Sequence, residues 1–188
     1  MLNQLRLIIK TMRPRQWPKN LFVLAGLIFD GQLSNFTSLS VTLLAFALFC
    51  LVSSLVYIIN DLTDIKSDQQ HPQKRKRPLA SGQLSQKTAI IAALILIIIT
   101  FPIAFSLNVN FGLIITGYFL LMLTYSFWLK DIPIIDVMII AAGFVLRVAA
   151  GVVVIVTTEF SPWLFVATVF LSLFIGLGKR RAEIELLE

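Results

Sequence analysis

The stretch NDLTDIKSD, residues 60–68, follows a long apolar segment and carries three aspartates and an asparagine. If the preceding segment continues as a helix, Asp61, Asp64 and Asp68 are spaced i, i+3 and i+7 and lie on one face, with Asn60 one turn from Asp64. Carboxylates so placed repel one another unless a cation or strong donors lie among them. Hard oxygen ligands suit Mg²⁺, which keeps several waters and is usually shared with substrate phosphates. The spacing therefore predicts a magnesium site.

A basic run, HPQKRKRP at residues 71–78, follows the acidic stretch. Its cations, together with Lys66 and Lys87, would hold the phosphate oxygens that the metal leaves free. The two runs together predict a site for a diphosphate-like ligand at a membrane surface. The alternative is a merely solvated loop after a membrane helix. His71 is the only histidine, which excludes a histidine-based metal cluster, and we expect it to be a loop residue.

The composition is that of a membrane protein. Of the 188 residues, 57% are hydrophobic and only 14% are charged, whereas soluble domains carry roughly 25% charged residues. The single cysteine, Cys50, lies in an apolar run and predicts no disulfide framework. Residues 1–20 do not resemble a cleavable signal peptide. The sequence contains no glycine-rich nucleotide fingerprint, P-loop or zinc motif, and we expect no nucleic-acid partner.

Six apolar segments predict an all-α, multi-pass transmembrane bundle that forms one integral-membrane domain over residues 1–188. The segments are residues 21–29, 39–59, 88–107, 111–128, 134–156 and 163–177. Most are near the roughly 20 residues that a helix needs to cross a bilayer. The first is short, and a spanning helix there must borrow from the residues before it.

The placement of charge predicts the orientation. With six alternating spans, residues 1–20, 60–87, 129–133 and 178–188 share one side of the membrane. They contain every lysine and arginine except Arg147, while Asp30 and Glu159 are the only charges on the opposite side. The positive-inside rule therefore predicts that both termini and the acidic stretch are cytoplasmic.

Arg147 lies in the middle of the fifth apolar segment, where an ionisable group usually faces the bundle interior or a wet cavity. Asp136 lies eleven residues earlier and projects to the same side. One interpretation is a structural ion pair with another helix. The other is that Arg147 lines the floor of a cavity beneath the metal site.

Two further groups of side chains lie at cytoplasmic helix ends. Tyr125 and Lys130 are either interface residues or substrate contacts. Lys179 and Glu183, one turn apart, belong either to a positive stop-transfer end or to a second patch that binds phosphate or metal opposite the aspartates. The residues alone leave both alternatives open.

The long motif NDLTDIKSDQQHPQKRKRPLASG, residues 60–82, resembles the first motif of the UbiA superfamily of intramembrane prenyltransferases, NDxxDxxxD with an HPxKxxRPxxxG continuation. Four further stretches resemble the branch of polyprenyl-phosphate phosphoribosyltransferases, of the decaprenyl-phosphate type. They are RPRQWPKN, YSFWLKDIPIIDV, AAGFVLRVAAG and GKRRAE. The resemblance covers nearly the whole chain.

The resemblance implies a helical bundle whose central cavity opens laterally to lipid, Mg²⁺ dependence, and an active site on the cytoplasmic face of a bacterial inner membrane. It implies that Asp61 and Asp64 are catalytic and that Asn60, Asp61, Asp64 and Asp68 hold Mg²⁺ and the donor diphosphate. By the same resemblance, Lys74 and Arg77 grip phosphate and Lys19 and Asn20 line the entrance. The positions of the residues add further candidate substrate contacts: Tyr125, Lys130, Arg147, Lys179, Arg180 and Glu183.

Most members of the superfamily carry a second aspartate-rich motif where this chain has Lys179, Arg180 and Glu183. The missing aspartates argue against a prenyl diphosphate held between two metal clusters and suit phosphoribosyl pyrophosphate, whose 5-phosphate needs cations. The resemblance thus implies transfer of 5-phosphoribosyl to a polyprenyl phosphate lipid. One alternative is prenyl transfer from a prenyl diphosphate to an aromatic or other small acceptor. Another is a non-catalytic membrane fragment or carrier, although a carrier should place its ionisable groups near the bilayer midplane.

Relatives have about nine spans, and this sequence predicts six. We therefore expect a shortened bundle without the last helices that close the cavity wall. The sequence leaves open whether such a chain is active alone, and also the lipid length, the pathway and the oligomeric state.

Overall fold

The computed structural model describes residues 2–129, 132–155 and 162–185, and helices dominate these ranges. This confirms the predicted all-α class. The helices are α1 (Leu2–Met12), α2 (Ala25–Phe29), α3 (Phe36–Thr63), α4 (Ile65–Gln70), α5 (Gln86–Leu107), α6 (Val109–Thr124), α7 (Pro133–Val154) and α8 (Pro162–Glu185). A 3₁₀ segment, Pro14–Leu24, joins α1 to α2, and a π-helical turn, Tyr125–Leu129, follows α6.

Polar side chains define where the long helices begin. The Asn35 side chain accepts hydrogen bonds from the backbone N–H groups of Thr37 and Ser38 at 3.0 and 3.3 Å, which caps α3. Ser85 caps α5 through the Thr88 N–H at 3.1 Å, and Asn108 caps α6 through the Phe111 N–H at 3.1 Å. Each side chain satisfies a backbone donor that the first helical turn leaves without a partner. The connections between spans are therefore encoded locally.

Four helices within the described ranges are long and apolar enough to cross a membrane: Phe36–Thr63, Gln86–Leu107, Val109–Leu129 and Ile134–Val154. A shorter apolar stretch, Pro162–Gly178, forms the first part of α8. These correspond to five of the six predicted segments, although residue 156, the predicted end of the fifth, lies outside the described residues. The chain is thus an integral membrane protein by the length and composition of its helices.

The first predicted span, residues 21–29, is not one regular helix. Its start belongs to the 3₁₀ segment Pro14–Leu24, and only Ala25–Phe29 is α-helical. Pro14 and Pro18 explain the difference, because proline lacks the N–H that an α-helical hydrogen bond requires. The count of six spans is therefore approximate.

Helix α3 is the centre of the bundle. In its most apolar stretch 61% of the residues are buried, compared with 17% for α5 and for α6 and 50% for α7. One core cluster joins Phe49 of α3 to Phe111 and Tyr118 of α6 and to Ala150 of α7. A second cluster, near the acidic stretch, joins α3 to α1, α5 and the loop between α4 and α5. Helices α3 and α7 carry several of the polar groups described below, and α5 and α6 present many apolar side chains outwards.

The three aspartates do not share one continuous helix, as the first interpretation of the sequence required. Helix α3 ends at Thr63, Asp64 adopts φ −90° and ψ 8°, and α4 begins at Ile65. The break redirects the chain at the end of the membrane span. Asp61 and Asp68 nevertheless approach each other, because a third side chain bridges them.

Candidate functional site

A cavity of about 430 Å³ lies inside the bundle, among the 3₁₀ segment, α3, α6, the π-helical turn, α7 and α8. We call it the central cavity. Its polar lining consists of Arg13, Lys19, Ser53, Tyr57, Asn60, Tyr118, Tyr125, Ser126 and Arg147. Three of these residues are cations and none is acidic, so the cavity suits an anionic ligand. Apolar side chains, among them Ile139, Phe144 and Ile175, complete the wall.

The acidic stretch forms a compact ion-pair cluster with two arginines at the end of α3. Asp61 and Asp68 are each only 2% exposed. Arg77 Nη1 lies 3.2 Å from Asp61 Oδ1 and 2.7 Å from Asp68 Oδ2, so one guanidinium bridges both carboxylates. Arg13 pairs with the same oxygen, Asp61 Oδ1. We call these four residues the outer cluster.

Arg13 connects the outer cluster to the central cavity. Its guanidinium pairs with Asp61, lies 4.7 Å from the centre of the Tyr57 ring, and lines the cavity wall. Its backbone is left-handed, with φ 53° and ψ 62°. This conformation is uncommon for a residue with a side chain and is retained only where surrounding contacts enforce it. Sequence reasoning did not select Arg13, because its partner is 48 residues away.

Asn60 is a predicted magnesium ligand with a buried oxygen that no described residue satisfies. Its Oδ1 is buried and has no hydrogen-bond partner among the described residues, although Asn60 lines the central cavity. A buried polar atom without a partner costs free energy that a ligand or ion would recover. An amide oxygen and three carboxylates in one motif match the donor chemistry that Mg²⁺ prefers. Within the described ranges, no three His, Cys, Asp or Glu side chains are gathered as a metal site, and arginines pair with Asp61 and Asp68.

Arg147 is buried, with 8% exposure, and also lines the central cavity. It donates hydrogen bonds to Asn20 Oδ1 at 2.8 Å, to the Gly143 carbonyl at 2.7 Å and to the Tyr118 hydroxyl at 2.7 Å. Its guanidinium also lies 4.7 Å from the Tyr118 ring centre. No described carboxylate forms an ion pair with it. Arg147 therefore lines a cavity, and the alternative of an ion pair with another helix finds no carboxylate among the described residues.

Asn20 supports Arg147. It is 1% exposed, and its amide nitrogen donates to Ser53 Oγ at 3.2 Å and to Cys50 Sγ at 3.3 Å. Its oxygen thereby points towards Arg147. Gly143 permits the close approach on the other side, because an added Cβ would lie 3.3 Å from Arg147 Nη1. We call Arg147, Asn20, Tyr118 and Gly143 the inner network.

Tyr125 and Asp136 form a third polar contact, at the end of α7 nearest the acidic stretch. The Tyr125 hydroxyl donates to Asp136 Oδ1 at 2.5 Å, and Asp136 is 3% exposed. Tyr125 belongs to the π-helical turn, a feature often found at functional sites, and it lines the central cavity. Asp136 thus interacts with Tyr125, and no ion pair joins it to Arg147.

The remaining predicted site residues do not all lie at the central cavity. Lys19 lines the central cavity, whereas Lys74 is exposed on the short 3₁₀ turn Lys74–Lys76. His71 Nδ1 accepts hydrogen bonds from the backbone N–H groups of Gln73 and Lys74 at 3.2 and 3.3 Å, a loop role as predicted. Lys130 lies outside the described residues. Lys179, Arg180 and Glu183 belong to α8, but their side chains are also outside the described part.

Three cavity residues absent from the predicted set are Arg13, Tyr57 and Tyr118. The two tyrosines lie in strongly apolar spans. A buried tyrosine hydroxyl usually needs a polar partner, and this is the only signal that the sequence offers there. Tyr118 provides that hydroxyl to Arg147. A search for polar atoms within the spans would have found it.

These features define a class: a membrane-spanning helical bundle around a cation-lined cavity, with an acidic motif at one mouth. The UbiA prenyltransferase family model matches residues 20–178. The chain therefore belongs to the UbiA prenyltransferase family, as the motif at residues 60–82 predicts.

The chain is also similar to two proteins named decaprenyl-phosphate phosphoribosyltransferase. It is 36% identical to that of Mycolicibacterium smegmatis over 185 residues, covering 96% of this chain and 58% of the relative. It is 38% identical to that of Corynebacterium glutamicum over 185 residues, covering 96% of this chain and 55% of the relative. The chain thus spans less than two thirds of the length of either relative.

Solved structures agree on the fold. A UbiA homolog from Archaeoglobus fulgidus bound to GPP and Mg²⁺ superimposes with a TM-score of 0.78 at 22% identity, covering 95% of this chain and 64% of that one. At this identity the likeness establishes the helical arrangement alone.

Proposed function

We propose that the chain is the main part of a Mg²⁺-dependent intramembrane transferase that moves 5-phosphoribosyl from phosphoribosyl pyrophosphate to a polyprenyl phosphate lipid. The observation that carries this proposal is Arg147, a buried cation that lines a cavity and has no described carboxylate partner. A charge at that depth is costly unless something compensates it. A phosphate group in the central cavity would supply the missing negative charge.

The distribution of cations supports a donor with phosphates at two separate positions. Arg147 lines the central cavity from α7, whereas Arg13 lines it and pairs with Asp61 of the outer cluster. Phosphoribosyl pyrophosphate carries a diphosphate at C1 of the ribose and a single phosphate at C5. The names of the Mycolicibacterium and Corynebacterium relatives support the same donor and a polyprenyl phosphate acceptor.

The proposed ligands of Mg²⁺ are the predicted ones, Asn60, Asp61, Asp64 and Asp68. Support comes from the unpartnered Asn60 oxygen and from the burial of Asp61 and Asp68. The ion, when bound, would neutralise charge on the donor diphosphate.

The side chains of this chain would act by stabilising the negative charge on the departing diphosphate. The guanidiniums of Arg13 and Arg77, with the predicted Lys74, would donate to diphosphate oxygens as the bond between C1 of the ribose and the diphosphate breaks and its electron pair leaves with the diphosphate. Preorganised donors aimed at developing charge are commonly the largest catalytic term. An oxygen of the lipid phosphate then bonds to C1. This oxygen is already ionised at neutral pH, so the step requires no general base.

The proposed location follows the distribution of lysine and arginine. Because all of them except Arg147 flank one side of the predicted spans, we infer that the outer cluster and both ends of the chain are cytoplasmic, in a bacterial inner membrane. Exposed apolar side chains on α5, such as Ile91 and Ile98, would contact membrane lipid.

A second candidate is prenyl transfer from a prenyl diphosphate to an aromatic or other small acceptor. The apolar part of the cavity wall, which includes Met122, Ile140 and Ile175, favours it because a prenyl chain needs such a surface. The Archaeoglobus homolog bound to GPP is consistent with this alternative.

The test uses membranes that express the native gene at its full length. They receive Mg²⁺, polyprenyl phosphate and ribose-labelled phosphoribosyl pyrophosphate, and the label in the organic phase is counted. We expect label that disappears with EDTA. A parallel reaction receives labelled geranyl diphosphate and an aromatic acceptor. Incorporation only in this second reaction would replace the first proposal with the second.

A further inference from the structure

A second cavity, of about 870 Å³, lies beside α1, between this helix, the start of the 3₁₀ segment and Gln83 of the α4–α5 loop. We call it the basic cleft. Four cations line it, Arg6, Lys10, Arg13 and Arg15, and no acidic residue of the described ranges does. The cleft is separate from the central cavity except at Arg13, which lines both.

The positive charge of the basic cleft is not neutralised within the described chain. Arg13 pairs with Asp61, but Arg6, Lys10 and Arg15 have no described carboxylate partner. Arg6 and Lys10 are one helical turn apart, and like charges at this spacing destabilise a helix. Lys10, in the last turn of α1, is favoured there by the helix dipole. That explanation does not extend to Arg6 or Arg15.

The wall of the cleft is held in place by the rest of the fold. Leu7 and Thr11 of α1 are buried, and Leu7 belongs to the core cluster that includes Leu84. Gln4 Nε2 donates to the Gln83 carbonyl at 3.3 Å. The cations are therefore presented by an anchored helix beside an anchored loop.

Apolar surface borders the charges. Leu5 and Ile9 of α1 are 56% and 46% exposed, and Ile9 also lines the cleft. A free anion gains nothing from such a surface, whereas an amphiphile with an acidic head does. Basic helices with an exposed apolar side bind at the interface of anionic membranes.

We propose that the basic cleft binds the phosphate headgroup of an anionic membrane lipid, whose apolar part lies against Leu5 and Ile9. This site goes beyond the proposed transferase reaction and does not depend on it. Binding would anchor α1 at the membrane surface and set a second negative charge near Arg13, at the wall shared with the central cavity.

The experiment uses the full-length protein, purified in neutral detergent and titrated with phosphatidylglycerol, with bound lipid counted by native mass spectrometry. The test variant carries Arg6→Gln, Lys10→Gln and Arg15→Gln. A matched control carries Arg75→Gln, Lys76→Gln and Lys87→Gln, which removes the same charge from exposed residues that do not line the cleft. Thermal unfolding of both variants verifies that they are folded.

We expect lipid binding to weaken about 100-fold in the test variant, because each basic residue near an anionic surface contributes roughly 1 kcal/mol. The control should weaken less than about threefold, as expected for screened distant charges. Equal losses in both variants, or no loss in either, would overturn the proposal. Displacement of the lipid by millimolar inorganic phosphate would also overturn it and assign the cleft to a free phosphate ligand.

Discussion

The outer cluster and the inner network hold their arginines by different means. At the end of α3, Arg13 and Arg77 pair with the carboxylates of Asp61 and Asp68. Within the bundle, Arg147 is held by an amide, a carbonyl and a hydroxyl, all of them neutral. The first arrangement balances charge within the chain, and the second leaves a net positive charge in the cavity.

This difference indicates which of the arginines is available to bind an anion. A guanidinium that is already paired with carboxylates must exchange partners to bind phosphate. Arg147 is oriented by neutral partners, with its charge uncompensated in the described chain. We therefore expect that removing the charge of Arg147 lowers activity but leaves thermal stability nearly unchanged. Removing a charge from the outer cluster should lower both activity and stability.

The largest effect is expected for Asp61→Asn, which keeps the shape of the side chain and removes its charge. Arg13 and Arg77 would lose their shared partner, and the proposed metal site would lose a ligand. We expect transferase activity to fall about 1,000-fold, measured by label in the organic phase. Breaking this partly buried ion pair should also destabilise the protein, by about 2 kcal/mol.

A double variant separates the two effects. Arg13→Gln combined with Asp61→Asn restores the balance of charge, so thermal stability should recover partly while activity remains low. Full activity of Asp61→Asn would contradict the proposed role of the outer cluster.

The next effect concerns the inner network. Arg147→Lys keeps the charge but loses the planar fork that contacts Asn20 and Tyr118. We expect kcat/KM for phosphoribosyl pyrophosphate to fall about 100-fold. Arg147→Met should be inactive but close to wild type in thermal stability, within about 1 kcal/mol, because it removes a costly buried charge. A strongly destabilised Arg147→Met, with Arg147→Lys still active, would make Arg147 a structural residue.

A smaller effect is expected at the contact between α7 and the 3₁₀ segment Pro14–Leu24, which carries Asn20. A Cβ at Gly151 would lie 1.8 Å from the Val23 carbonyl oxygen, so Gly151→Ala must push the 3₁₀ segment away from α7. We expect a loss of about 2–3 kcal/mol, measured by thermal unfolding in detergent. Gly117→Ala is the matched control, since no atom lies within 4 Å of its added Cβ. Equal stability of the two variants would show that this contact does not hold the inner network in place.

The smallest effect is expected for Asn60→Ala. Its Oδ1 has no described hydrogen-bond partner, so its removal should not lower stability. If this oxygen binds the metal, Mn²⁺ affinity measured by electron paramagnetic resonance should fall about tenfold, at the lower end of losses seen around metal sites. Ser67→Ala, at an exposed position of the same motif, provides the comparison and should leave Mn²⁺ affinity unchanged. Unchanged affinity in Asn60→Ala would remove Asn60 from the proposed ligand set.

Sequence reasoning predicted the features that depend on local composition. Apolar runs of sufficient length form helices because the bilayer leaves their backbone groups no other partners, so α3, α5, α6 and α7 follow the predicted segments closely. The prolines at positions 14 and 18 instead favoured a 3₁₀ segment over the predicted first span. The family was evident from one long motif, and the family model confirms it.

The sequence by itself determined the helical class, the family, the concentration of basic residues around the acidic stretch, and the depth of Arg147. Only the tertiary structure decided which groups meet. Arg13 pairs with Asp61 across 48 positions and Arg147 contacts Asn20 across 127, while the break at Asp64 redirects the chain. Hydropathy is a property of residues that are neighbours in the sequence. These contacts instead depend on how whole helices pack together in the bundle.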